Sequence, residues 1–258
     1  MKQMILKLLY KMPIPHGVVD FVRKRQFLQC KCDPVAVDFY RQFINPGDLV
    51  FDIGANMGNR SKIFLKLGAK VVAFEPQKRC AAFLRSVLGK EKDFTLIEAA
   101  VGAEEGESEM LVSDVHVLST LSKNWVEAVK ESGRFASNEW NEKQKVNVTT
   151  LDSALRKYGS PAFVKIDVEG YEYEVLSGLS DPVGSLSIEL TPETIQTTFK
   201  CIEHMSRLSD AVFQYSSGET MEFDFPAWVT KTEILDFLTK GVDGGILSWG
   251  DLYMKKEK

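Results

Sequence analysis

Five short apolar runs in this chain each stop at a single carboxylate. Leu49-Val50-Phe51 stops at Asp52, Val71 to Phe74 at Glu75, Thr95 to Ile97 at Glu98, Ala162 to Ile166 at Asp167, and Ser185 to Ile188 at Glu189. Between them lie stretches with helical patterning, from about Asn59 to Leu67, Lys78 to Leu88 and Tyr171 to Leu179. Runs this short and this apolar, alternating with helices of ten or so residues, predict a doubly wound α/β fold with a mostly parallel sheet covered on both faces. In such a sheet ligands gather outside the carboxyl ends of the strands, where the strand order reverses. The five carboxylates are therefore the first candidates for site residues.

The 258 residues suit one large α/β domain with appendages rather than two full domains. We place an N-terminal helical cap at 1–47, punctuated by Pro13, Pro15 and Pro34, and a Rossmann-like domain at 48–258. Two segments break the alternation. Residues 104–150 read as an insertion holding two strand-like runs, Glu109 to Val112 and Lys145 to Thr150. Residues 216–249 read as a cap loop with a helix from about Thr230 to Leu238 and a turn at Gly241 to Gly245. The runs Ala211 to Tyr215 and Leu252 to Met254 flank that loop and are expected to pair as a closing antiparallel ribbon.

A net charge of −4 gives no overall basic bias toward nucleic acid, and Lys78, Arg79 and Arg85 read as a solvated helix surface. Cys30, Cys32, Cys80 and Cys201 lack zinc-ligand spacing and read as free thiols. The apolar run from Met1 to Met12 is broken by Lys7 and too short for a signal peptide or a membrane span. It is expected to pack on its own domain, although Lys2, Lys7 and Lys11 would also suit an anionic membrane surface. The expected compartment is the cytoplasm.

The sharpest local signal is Asp52-Ile53-Gly54-Ala55-Asn56-Met57-Gly58-Asn59, between a strand and a helix. Gly54 and Gly58 allow a tight turn and a close approach to a ligand. The helix N-terminus that follows offers free N–H groups to a carboxylate or phosphate. A dinucleotide fingerprint would need glycines where Asn56 and Asn59 stand, which counts against a nicotinamide cofactor. Glu75, about twenty residues further on, is placed to accept both hydroxyls of a ribose.

These residues resemble the FkbM family of class I methyltransferases. The resemblance is carried by D-I-G-A-N-M-G at 52–58, F-E-P at 74–76, E-A-A-V-G at 98–102, T-L-D at 150–152, K-I-D-V-E-G-Y-E at 165–172 and S-I-E-L at 187–190. It implies a seven-stranded sheet with an antiparallel last strand, S-adenosyl-L-methionine as cofactor, and O-methylation of a saccharide, polyketide or similar hydroxyl. It further implies that Gly54, Ala55, Asn56 and Gly58 line the methionine moiety; Asp52, at the strand end, is counted with these cofactor-binding residues, with bracing of the glycine loop as its alternative role. Glu75 and Pro76 would hold the ribose, and Ala99, Ala100 and Val101 would flank the adenine, with Glu98 near its amine.

Asp167 would lie close to the sulfonium and the incoming hydroxyl, as general base or cofactor contact. His116, in the insertion beside Leu118-Ser119-Thr120-Leu121, and Glu189 are alternative bases. Asp167, Glu169, Glu172 and Glu189 form an acidic group that would suit Mg²⁺ or Ca²⁺, yet carboxylates are favoured at a helix start in any case, so no metal is expected. His204 is expected at the surface. Other acceptors, nitrogen or carboxylate, and a non-catalytic cofactor-binding module remain open at this stage.

Overall fold

In the computed structural model, strand β1 (Leu49–Ile53) lies at the centre of a seven-stranded sheet. The structure describes residues 16–135 and 137–257, with side chains from residue 21 onward; the expectations for Met1 to Met12, Pro13 and Pro15 lie outside the described residues. On one side β1 pairs in parallel with β2 (Lys70–Phe74), which pairs with β3 (Phe94–Ile97). On the other side it pairs in parallel with β7 (Phe163–Ile166), which pairs with β8 (Ser185–Leu190). β10 (Gly250–Lys256) then inserts between β8 and β9 (Ala211–Ser217), antiparallel to both. The order β3-β2-β1-β7-β8-β10-β9 is the doubly wound arrangement expected, with its closing antiparallel ribbon.

The strands look continuously apolar because both faces are buried. Val50, Val71, Ala73 and Phe163 enter one core, while Phe51, Val72, Phe74 and Val164 enter the other. The first core is covered by α1 (His16–Gln29), α2 (Pro34–Tyr40), α3 (Asn59–Lys66) and α4 (Lys78–Leu88). An aromatic cluster closes it: Phe43 stacks on Tyr253 at 5.5 Å, and Phe223 packs edge-on against Phe39 at 5.1 Å and Tyr253 at 5.3 Å.

The chain runs outward from β1 to β3, then returns to the far side of β1 as β7. That reversal opens a cleft between the carboxyl ends of β1 and β7. The return path carries a second sheet made of β4 (Ala100–Val101), β6 (Glu142–Thr149) and β5 (Gly106–Val112); the two strand-like runs of the insertion fall in β5 and β6, which pair antiparallel with Glu109 opposite Lys145. After β5 come a 3₁₀ turn at His116–Leu118 and α5 (Lys123–Glu131).

On the other face lie α6 (Leu151–Tyr158), α7 (Glu172–Ser177), α8 (Ile195–Leu208) and α9 (Lys231–Asp243). Helix α9 opens on a capping box, with Thr230 and Glu233 satisfying each other's backbone N–H. It runs beyond Leu238, past the expected stop. Gly241 is a packing glycine rather than a terminator, since a Cβ there would meet Leu247 at 3.1 Å, and the cap falls at Gly244.

Candidate active site

The cleft has a volume of about 690 Å³. Its floor begins where β1 ends. Asp52 is buried and accepts a 2.5 Å hydrogen bond from the Ser61 hydroxyl on α3, so it braces the turn to the helix. Burial pushes its carboxyl up to about 6, against the lowering effect of Ser61 and Lys165. Gly54, Asn56 and Gly58 all adopt left-handed backbone, with φ of 81°, 49° and 79°.

Asn56 turns its N–H toward the end of β2 and donates to Glu75 Oε2 at 2.7 Å, while the Gln77 N–H donates to Glu75 Oε1 at 2.7 Å. Each Glu75 oxygen keeps acceptor capacity for a further donor. Burial raises the Glu75 carboxyl to about 7, even though both backbone donors favour its charged form. Gln77 donates to the Ser119 hydroxyl, which also accepts from the Ser113 N–H at 3.1 Å. The insertion is thereby tied to the rim of the cleft.

At the end of β7, Asp167 faces the cleft with its side chain 40% exposed. Behind it, two residues earlier on the same face of the strand, Lys165 is buried. Its ammonium lies 3.3 Å from Asp167 Oδ2 and 3.0 Å from Asp251 Oδ1 on β10. Burial alone would lower the Lys165 pKa, but the two carboxylates overcome it and hold the group well above its usual range.

Carboxylate oxygens of Asp167, Glu169 and Glu189 lie within 4.8 Å of one another. Burial, then mutual repulsion, raises Glu169 and Glu189 well above the ordinary carboxylate range. The spacing suits three oxygens around one divalent cation. Glu172 does not join them. It accepts from the N–H groups of Val168 and Gly170 at 3.3 and 3.1 Å and so braces the loop, and burial raises it to about 7.

Most residues singled out from sequence line this one cleft: Asp52, Gly54, Ala55, Asn56, Glu75, Pro76, Ala99, Ala100, Val101, His116 and Asp167. Three stand apart from the lining. A Cβ on Gly58 would strike Leu84 at 2.5 Å, so its missing side chain serves the packing of α4 beneath the turn. Glu189 reaches the site only through its carboxylate group beside Asp167 and Glu169. Glu98 ion-pairs with Arg85 instead. His204 is half-buried, with Nε2 at 3.0 Å from the Leu179 carbonyl, rather than free at the surface.

Lys165, Gln77 and Ser119 also line the cleft and had no assigned role from sequence, and Glu169, weighed there only as one of an acidic group, lines it too. The K-x-D spacing, which puts Lys165 and Asp167 on one face of a strand, was the available signal for the first. All four cysteines are free, as expected.

The model of the FkbM methyltransferase domain matches residues 52–217, spanning Asp52, Glu75, Asp167, Glu169, Glu172 and Glu189. The chain belongs to the FkbM methyltransferase family. It is an S-adenosyl-L-methionine-dependent methyltransferase, and the buried acceptor of Glu75 beside a left-handed glycine turn fits a ribose and its methionine tail.

A search of curated proteins found no match. Among solved structures, the methyltransferase is similar to an O-methyltransferase from Bacillus cereus in complex with SAH, at 10% identity, covering 97% of this chain and 96% of that one with a TM-score of 0.44. It is also similar to precorrin-6Y C5,15-methyltransferase from Geobacter metallireducens GS-15, at 13% identity over 86% and 87% of the two chains, TM-score 0.44. An rRNA methylase from Streptococcus thermophilus follows, at 11% identity over 89% and 99%, TM-score 0.42. These likenesses are weak, and they leave the methyl acceptor open.

Proposed function

We propose that the methyltransferase methylates a hydroxyl on a saccharide, polyketide or similar small molecule, with Asp167 as the base. The observation that carries this reading is the Asp167 carboxylate, open to the cleft and held from behind by the buried Lys165 ammonium. When bound, S-adenosyl-L-methionine supplies an electrophilic methyl group. The residues of the chain then have two tasks, to align an acceptor oxygen in line with that methyl and to remove its proton. The Lys165 ammonium, 3.3 Å away, fixes the direction of the Asp167 carboxylate, so it can take the proton without first reorganising.

In this reading Asp52, Gly54, Ala55 and Asn56 hold the methionine end, Glu75 and Pro76 the ribose, and Ala99, Ala100 and Val101 the adenine. Gly58 contributes only through the start of α3. The described part of the 1–47 segment and the 216–249 loop cap the cleft; Phe27, Ala36, Glu219 and Met221 among its lining support that division. The free thiols support a reducing, cytoplasmic setting. No helix among the described residues is long and apolar enough to cross a membrane. A chain of net charge −4 with a carboxylate-rich site favours a small acceptor over nucleic acid, and no resident metal is assigned.

An amine acceptor is the second reading, since Asp167, Glu169 and Glu189 together would attract a protonated nitrogen. A panel of hydroxylated and amino compounds, scored by S-adenosylhomocysteine release, separates the two. With the acceptor found, Asp167→Asn should retain cofactor affinity and lose about 10²–10⁴ in turnover. Parallel loss of both would move Asp167 into the cofactor site. Full retention of turnover would shift the base to Glu189 or to His116. A histidine base would show a rate that falls as pH drops through about 6.5.

A further inference from the structure

We infer that the outer face of α1 docks this enzyme on an anionic phospholipid surface. Helix α1 has two unlike sides. Arg23, Gln26, Phe27 and Cys30 turn inward and line the cleft, and Phe27 packs edge-on against Phe83 at 5.8 Å. The Lys62 ammonium donates to the carbonyls of Phe27 and Cys30, fastening the end of the helix to α3. At 100° per residue, Phe21, Lys24, Arg25 and Leu28 fall together on the opposite side.

There Phe21 is 66% and Leu28 58% exposed, with Arg25 exposed between them and Lys24 half-buried alongside. One exposed helical stripe thus offers large apolar side chains and cations together, which suits contact with a surface that is apolar beneath an anionic layer. The charge distribution points the same way. Residues 1–33 hold seven lysines and arginines against two aspartates, in a chain whose net charge is −4. Each cation near a negatively charged leaflet adds to the attraction.

The same charges disfavour the other occupants of this face. A second copy would set Lys24 and Arg25 against their own equivalents. Residues 1–12 carry Lys2, Lys7 and Lys11 and no acid, so folding them back would bring like charges together. Facing a bilayer, those lysines add to the attraction instead. With α1 so placed, the helix whose inner side lines the cleft is the one that touches the bilayer.

The test is co-sedimentation of the full chain with phosphatidylcholine vesicles, with and without about 30% phosphatidylglycerol. Binding is expected to the anionic vesicles alone, released by about 0.5 M salt. Phe21→Ser/Leu28→Ser and, separately, Lys24→Glu/Arg25→Glu should each lower partitioning by about tenfold or more. Phe21, Arg25 and Leu28 are exposed, and Lys24 is half-buried but outside the cleft lining, so melting temperature and cofactor affinity should stay close to those of the parent chain.

No binding to anionic vesicles, or equal binding to neutral ones, overturns the inference. Undiminished binding by both variants overturns its assignment to this face. A dimer that Phe21→Ser/Leu28→Ser dissociates, without vesicle binding, assigns the face to a second copy.

Discussion

The backbone carbonyl of Asp167 occupies the space where a side chain on Gly54 would begin, since a Cβ built there would lie 1.9 Å from that oxygen. The first glycine of the D-I-G-A-N-M-G turn therefore has a task within the protein itself. It lets the loop after β1 close against the loop after β7, across the point where the strand order reverses. The Asp167 N–H, at 3.0 Å from the Ile53 carbonyl, fixes the same approach from the strand side. The glycine turn after β1 and the loop that carries Asp167 are thereby packed directly against each other.

Gly54→Ala tests this, with Gly47→Ala as its control. Both glycines are left-handed, with φ of 81° and 91°, and nothing lies within 4 Å of a Cβ on Gly47. The control should lose only the backbone cost, about 1–2 kcal/mol. Gly54→Ala should lose about 3 kcal/mol or more in urea unfolding, because the Asp167 loop must also move. Its cofactor affinity should fall as well. Equal losses in the two variants would show that the close approach imposes no constraint.

Lys165 is the buried cation between Asp167 and Asp251, and Lys165→Met should expose what that pairing hides. Asp251 is only 7% exposed, so the variant leaves a buried carboxylate without its partner. Breaking such a pair costs about 3–5 kcal/mol, whereas removing both members is often close to neutral. Lys165→Met/Asp251→Asn should therefore recover most of the stability in urea titrations. A double variant as unstable as the single one would mean that Lys165 matters through packing of its stem.

The sheet was readable in the sequence because its strands are short, buried on both faces and end on carboxylates. The runs at 49–51 and 71–74 are apolar throughout, which an amphipathic surface strand is not. The cleft was readable for the same reason: strand ends fix position, so Glu75 and Asp167 fell where expected. What was not readable depended on side-chain partners from distant segments. Nothing local distinguishes Glu172, which braces its own loop, from Glu169, which joins Asp167 and Glu189. Gly58 looks like a ligand-facing glycine until α4 brings Leu84 beneath it. Gly241 read as a turn because its contact, Leu247, lies beyond the helix end.

Glu189→Gln should change how stability responds to pH. Burial and the neighbouring carboxylates raise the folded-state pKa of Glu189 above its unfolded value. Its contribution to stability is then complete below the unfolded pKa of about 4.3 and is lost as pH rises through the folded value. The glutamine variant removes that loss. It should melt near the parent temperature at acid pH and above it at alkaline pH. If the variant melts lower at every pH, the Glu189 carboxylate is making a favourable contact in its charged form, as a bound cation would provide.

Glu75 gives the sharpest pH test, because it needs no acceptor. Its carboxyl is raised to about 7 in the free protein, chiefly by burial. Two ribose hydroxyls donating to it would favour the charged form, so cofactor binding should lower its pKa and release a proton. By linkage, affinity rises as the group ionises, and binding at pH 6 should be about tenfold weaker than at pH 8. Calorimetry in buffers of different ionisation enthalpy should report the released proton near neutral pH.

Asp52, pushed up to about 6, also titrates within this range, so Glu75→Gln is the necessary comparison. That variant should bind about ten- to a hundredfold more weakly at pH 8 and show a much flatter pH response. If the parent chain binds S-adenosyl-L-methionine equally at pH 6 and 8 with no proton exchanged, Glu75 does not hold the ribose. Its two backbone bonds to Asn56 and Gln77 would then be its whole role.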